Sequence, residues 1–148
     1  MSYVKLLYHV VIRTKAFQPV LSLEHSDDLY RYIWGIIKNK NSVLYRINGM
    51  EDHIHILFSL HPTLALSDFM RDLKAESSKM LKRTAGFEQF VAWGEGYAAL
   101  TYSLKDKDMI INYIKKQREH HRKQTFKDEY VAFLKEMGLV LDERDWSR

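Results

Sequence analysis

"SVLYRINGMEDHIHILFSL", residues 42–60, carries the pattern from which the rest of the architecture follows. Two runs rich in β-branched, aromatic and aliphatic residues flank Asn48-Gly49, a dipeptide suited to a tight turn, so the stretch predicts a β-hairpin with its turn there. Side chains alternate along a strand. In the second run Ile54, Ile56 and Phe58 therefore point one way, and His53 and His55 point the other. The first set is a core face. The second sets two imidazoles side by side on a strand that ought to be buried. Pro62 ends the hairpin.

Outward from this hairpin, residues 3–13 ("YVKLLYHVVIR") read as a first strand rather than as a cleaved leader. Residues 25–41 read as a helix with Ser26 as N-cap and Asp27 and Asp28 at the positive end of its dipole. Leu29, Tyr32, Ile33, Ile36 and Ile37 form its apolar face. Residues 66–83 give a second amphipathic helix, capped by Ser67, with Leu66, Phe69, Met70, Leu73, Ser77, Met80 and Leu81 as the inner stripe. Residues 84–96 hold three glycines and read as a loop, and "YAALTYSL" (97–104) as a fourth strand. A third helix is expected over 105–123. A fourth spans 125–139, with Gly138 as its stop. The order β-α-β-β-α-β with trailing helices gives an α+β class, the ferredoxin-like or RRM-like plan, with an antiparallel sheet and extra C-terminal helices. One domain is expected over residues 1–148.

Composition narrows the chemistry. Hydrophobic residues make up 46% of 148, which describes a folded chain. No apolar run approaches the roughly 18 residues that span a bilayer. Cysteine is absent, so thiol catalysis, disulfides and thiolate metal sites are excluded. The net charge of +4 is compatible with a nucleic-acid partner.

Two imidazoles on one strand face suit a divalent metal ion, and Glu51 or Asp52 could orient one of them. A third ligand has to come from His, Asp, Glu, Asn or Gln. In the third helix Tyr113 and Gln117 are four residues apart and share a face. Taken alone, a tyrosine among Ile110, Ile111 and Ile114 is ordinary core packing.

The combination of "HIH" on a strand with a helical Tyr-Ile-x-x-Gln some sixty residues later resembles the single-tyrosine HUH transposases of small bacterial insertion sequences (IS200-like), to which REP-associated tyrosine transposases are related. "RTKAFQPVL", "GMEDHIHILFSL", "LSDFMRDLKAESSKML", "WGEGYAALTYS" and "NYIKKQREHHRKQTFKDEYVAFLKEMGL" resemble the corresponding stretches in the same order. The resemblance implies cleavage and rejoining of single-stranded DNA at hairpin-flanked element ends through a 5′-phosphotyrosine. It implies Tyr113 as nucleophile, with Mg²⁺ or Mn²⁺ held by His53, His55 and Gln117. With one such tyrosine per chain, moving two ends argues for a homodimer, in which the active sites are shared between subunits or each is built within one chain. The implied setting is the cytoplasm of a bacterium or archaeon, at the nucleoid.

Arg71, Lys74, Lys79, Lys82 and Arg83 form a candidate DNA-binding patch, and His120, His121, Arg122 and Lys123 a second basic group. Trp93 and Tyr97 are candidates for stacking on unpaired bases. Two other readings stay open: a non-catalytic single-strand binder on the same fold, and a domesticated endonuclease that cuts repeat hairpins.

Overall fold

The hairpin forms, but its turn lies further along than the Asn-Gly signal suggests. In the computed structural model, which describes residues 1–120 and 124–148, β2 (Val43–Met50) and β3 (His53–Ser59) pair antiparallel, and Glu51-Asp52 makes the turn. Asn48 and Gly49 sit inside β2, opposite His55 and Ile54. Gly49 is there because the two backbones approach too closely for a side chain. A Cβ would lie 2.2 Å from the His53 carbonyl oxygen. Asn48 turns its amide across to the carbonyls of Ile114 and Lys115, at 3.1 and 3.2 Å. Both residue types favour turns, and here both serve close approach instead.

β1 (Leu7–Arg13) pairs antiparallel with β3 on one side and with β4 (Ala98–Tyr102) on the other, giving the four-stranded order β2-β3-β1-β4. This is the ferredoxin-like sheet expected from the element order. α1 (Ser26–Asn39) and α2 (Leu66–Arg83) cover one face. Their Ile33, Ile37, Phe69, Met70 and Leu73 pack on Val10, Ile12, Ile54, Ile56 and Phe58. The Phe58 and Phe69 rings stack with centroids 4.8 Å apart.

The expected serine caps are not used. α1 is preceded by His25 and α2 by Ala65, each without a side-chain cap bond. The Ser26 hydroxyl donates backward to the Leu23 carbonyl and accepts from Arg118. α2 starts two residues before a Ser67 cap would place it, because the Phe69 N–H already donates to the Ala65 carbonyl, which leaves Ser67 inside the first turn.

The other face carries α3 (Lys107–Lys115), α4 (Gln117–His120) and α5 (Phe126–Glu136). The single helix expected over 105–123 is broken at Lys116, whose φ of −92° and ψ of 11° leave the helical region. Residues 121–123 of the second basic group lie outside the described residues. α5 follows its sequence closely. Thr125 accepts the N-terminal bond from the Asp128 N–H, and Gly138 adopts φ +75°. The Gly138 and Leu139 N–H groups return to Lys135 and Leu134, the paired bonds of a Schellman stop. α3 packs Ile110 and Ile114 on Leu7 and Leu57, while α5 packs Phe126, Tyr130 and Leu134 on Val11, Phe17 and Ala98.

Trp93 is no stacking platform for bases. It is buried, and its indole N–H donates to the Ser77 hydroxyl at 3.0 Å. Tyr97 packs against the same core. Among the described residues no helix is long and apolar enough to cross a membrane.

Candidate active site

The face of β3 turned toward α3 and α5 carries His53, His55 and Leu57, and the matching face of β1 carries His9, Val11 and Arg13. Each β3 imidazole is tied back through Nδ1. For His53 the partner is the Asp52 carboxylate at 2.8 Å, the orienting role for which Asp52 was a candidate. For His55 it is Nε2 of His9, also at 2.8 Å. Both Nε2 atoms consequently face inward. His53 Nε2 lies 3.2 Å from Gln117 Oε1, and His55 Nε2 lies 3.5 Å from Glu129 Oε1. His53, His55, Gln117 and Glu129 are all buried.

Tyr113 completes the group. Its hydroxyl donates to Glu129 Oε1 at 2.5 Å. Burial, then the Glu129 hydrogen bond and charge, push the phenol well above its ordinary value, while the neighbouring Gln117 amide pulls it down. The phenol is thus a neutral donor at physiological pH. His9 moves in the opposite direction. Burial and then His55 lower it to about 3, so it is a neutral imidazole there. Phe126 lies flat on His53, ring centroids 3.7 Å apart and planes within 3°.

The structure therefore brings together His53, His55, Tyr113 and Gln117, all within one chain. Gln117 arrives by a different route from the expected one. It opens α4 after the break at Lys116, and the Asn48 amide holds the carbonyls just before it. Glu129 and His9 are additions that reading the sequence did not supply. Phe126, Glu129, Tyr130 and Phe133 fall at helical spacing on one stripe, and a carboxylate on such a stripe is the available signal. Its place in the first turn of α5 reads equally as dipole compensation.

One ligand atom each from His53, His55 and Glu129 lies within 4.8 Å of the others. Two imidazole nitrogens, a carboxylate oxygen and the adjacent Gln117 amide oxygen are a donor set that fits a divalent cation. Beside them a cavity of about 360 Å³ is lined by Tyr102, Ile110, Tyr113, Glu129 and Phe133.

The five basic candidates sit on α2, across the sheet from the imidazoles, and they differ in what they hold. Arg71 pairs with Asp68 and Asp72 at 3.2 and 3.3 Å. Lys74 turns inward and donates to the Gly94 and Gly96 carbonyls at 2.7 and 2.9 Å. Burial and the nearby Arg13 lower its pKa. Arg83 reaches the Tyr32 hydroxyl at 3.5 Å. Lys79 and Lys82 are exposed.

Known proteins resemble the chain in both sequence and fold. The profile of the family "Transposase IS200 like" matches residues 2–117. The ISDra2 transposase TnpA of Deinococcus radiodurans is 27% identical over 122 residues, 78% of this chain and 86% of that protein. A crystal structure of a D. radiodurans R1 protein assigned as a transposase superposes with a TM-score of 0.59 at 29% identity, covering 79% of this chain and 95% of that one. A REP-associated tyrosine transposase, bound in its structure to a REP hairpin, shares the fold with a TM-score of 0.60 at 13% identity, over 82% of this chain and 72% of that one. The chain belongs to the IS200-like transposase family, and with that to enzymes that cleave DNA and transfer its strands.

Proposed function

We propose that this chain, as one catalytic domain over residues 1–148, cleaves and rejoins single-stranded DNA at hairpin-flanked ends, with Tyr113 as the nucleophile. His53, His55 and Gln117 would hold Mg²⁺ or Mn²⁺, with Glu129 beside them as a carboxylate donor. Bound there, the ion supplies positive charge where negative charge develops on the phosphate oxygens.

The Tyr113 oxygen attacks phosphorus, forming an O–P bond as the bond from phosphorus to the 3′-oxygen breaks. The products are a 5′-phosphotyrosine and a strand ending in a 3′-hydroxyl. Glu129 Oε1 already accepts the phenolic hydrogen bond and is the carboxylate placed to receive that proton. Gln117, next to both the phenol and His53, limits where the nucleophile can sit. Resolution is the reverse exchange. An incoming 3′-hydroxyl attacks the phosphotyrosine and Tyr113 leaves with a proton. One phosphodiester replaces another, so no nucleotide triphosphate is consumed.

The unpaired strand enters through the cavity beside Tyr113. Two ends require two tyrosines, so a homodimer carries out the complete transfer. The hairpin recorded for the REP-associated relative supports a hairpin substrate here. The exposed Lys79 and Lys82 are the basic groups of α2 best placed to meet backbone phosphates outside the site, with Arg71, Lys74 and Arg83 already engaged within the chain. The cytoplasm, at the nucleoid, is the proposed location.

The observation that carries this reading is the convergence of four polar side chains, the buried His53, His55 and Gln117 and the half-buried Tyr113, on one another. A non-catalytic strand binder offers no reason for it. The test is incubation of wild type and Tyr113→Phe with a library of single-stranded hairpin DNAs and Mn²⁺, followed by denaturing electrophoresis. Wild type should form a covalent DNA adduct and the variant none. An adduct with Tyr113→Phe, or none with wild type across the library, would falsify the assignment.

A further inference from the structure

His9 belongs neither to the histidine pair nor to the tyrosine helices, yet it is 1% exposed and holds Nδ1 of His55 at 2.8 Å. Tyr102, Tyr113 and Phe133 surround its ring, with centroids 6.0 to 6.3 Å away. The strand pairing sets it there. His9 and His55 lie on adjacent strands of the same face, diagonal to one another, because Val11 is opposite His55.

A neutral imidazole has one N–H and one lone-pair nitrogen. For His55 to offer Nε2 to a cation, its proton must sit on Nδ1, and something must accept it. Asp52 does this for His53. The atom in the equivalent position for His55 is Nε2 of His9. Buried beside His55 at hydrogen-bond distance, the His9 ring can accept through its lone-pair nitrogen. A tightly enclosed ring also stops His55 from rotating away.

Building on the metal site of the proposed function, we infer that His9 is a positioning residue, which accepts the Nδ1–H of His55 and so fixes the ring and the tautomer that present Nε2 to a divalent cation. The role is distinct from packing, and two substitutions separate them. His9→Phe keeps an aromatic ring without an acceptor. His9→Gln keeps an acceptor at similar reach.

Mn²⁺ titration followed by electron paramagnetic resonance reads affinity without reference to activity. His9→Phe should bind Mn²⁺ about 10- to 100-fold more weakly, the usual effect of losing such an outer partner. His9→Gln should restore most of that loss. Melting curves without metal verify that both variants fold. In wild type loaded with diamagnetic Zn²⁺, ¹⁵N NMR should detect a coupling across the His55 Nδ1–H···Nε2 His9 bond, a measurement that needs no variant. Wild-type Mn²⁺ affinity in a folded His9→Phe, or absence of the coupling in a Zn²⁺-loaded protein, overturns the role of His9 and leaves the metal site standing. Failure of wild type to bind either ion overturns the metal site itself, and this inference with it.

Discussion

Asn48→Ala isolates the link between the sheet and the nucleophile helix. The Asn48 amide donates two hydrogen bonds, to the carbonyls of Ile114 and Lys115, at the end of α3 and just before the break that redirects the chain into Gln117. Alanine removes both. Each is worth about 0.5–1.5 kcal/mol net, so the loss is about 1–3 kcal/mol. Asn48 is half-buried, and water can reach one of the abandoned carbonyls. The lower half of that range is therefore expected. For a chain of this size that corresponds to a drop of roughly 2–6 °C in Tm. The functional loss should exceed what stability alone implies. A last turn of α3 without its anchor leaves Gln117 and Tyr113 poorly aligned, and misplacement on the ångström scale costs about 100-fold in rate. Asn48→Asp should be worse, since it points a carboxylate at two carbonyls and at the negative end of the helix dipole. The assay is a melting curve together with single-turnover formation of the Tyr113–DNA adduct at a temperature where every variant is folded. If Asn48→Ala melts with wild type and forms adduct at the wild-type rate, the amide does not hold the helix end in the way the geometry implies.

Other outcomes follow from separate contacts. Ser77→Ala strips the Trp93 indole N–H of its buried acceptor and should cost about 1–3 kcal/mol, visible as a shifted urea midpoint and altered tryptophan fluorescence. Ala132→Trp, on the exposed side of α5 at the cavity rim, should fill that space and suppress adduct formation while changing stability by no more than about 0.5 kcal/mol; full activity would mean that DNA enters elsewhere. Stability should fall at both pH extremes. Tyr30, Tyr102, Tyr113 and Tyr130 are all raised by burial, so the unfolded chain ionises first, near pH 10, and stability is complete below that value and falls above it. His9 is lowered to about 3, so the unfolded chain takes up that proton first, and stability drops as pH falls from about 6.5 toward 3. Urea midpoints against pH measure both arms. The acid arm should be shallower in His9→Phe than in wild type, and equal slopes would contradict it.

The sheet and the histidine pair were legible because period-two alternation leaves no choice about which residues share a face. Ile54, Ile56 and Phe58 had to be core once His53 and His55 were opposite them. Boundaries were less legible. Asn48-Gly49 has turn chemistry, but whether it turns depends on a backbone approach at β3 and on two carbonyls in α3, both remote in sequence. The break at Lys116 is hidden for the same reason, since nothing local in "YIKKQREH" forbids a helix. Ser26 and Ser67 looked like caps, yet Ser26 is taken up by Leu23 and Arg118, and α2 begins at a backbone bond to Ala65 that needs no side-chain cap. Glu129 and His9 escaped notice because each is ordinary locally, an acid in a first helical turn and a histidine in a strand. Their roles appear only when β1, β3 and α5 meet.

On the face covered by α1 and α2, apolar packing forms the fold and no chemistry is involved. On the other face the same strands present His9, Arg13, His53 and His55, and burying those groups costs free energy unless each is met by a partner. Asp52 and His9 hold the imidazoles at Nδ1 while Gln117 and Glu129 face them at Nε2, and Glu95 and Asp145 meet Arg13. The contacts that assemble the site are therefore also contacts that hold α3, α4 and α5 on the sheet. Truncating His53, His55, Gln117 or Glu129 strands a buried polar atom, and a lost activity then mixes chemistry with stability. Tyr113→Phe is different. The ring still packs with Ile110 and Ile114, so the substitution removes one oxygen, and its hydrogen bond to Glu129, from a surface that otherwise stays filled. That is why the adduct assay on Tyr113→Phe separates nucleophile from scaffold, where deletion of a histidine would not.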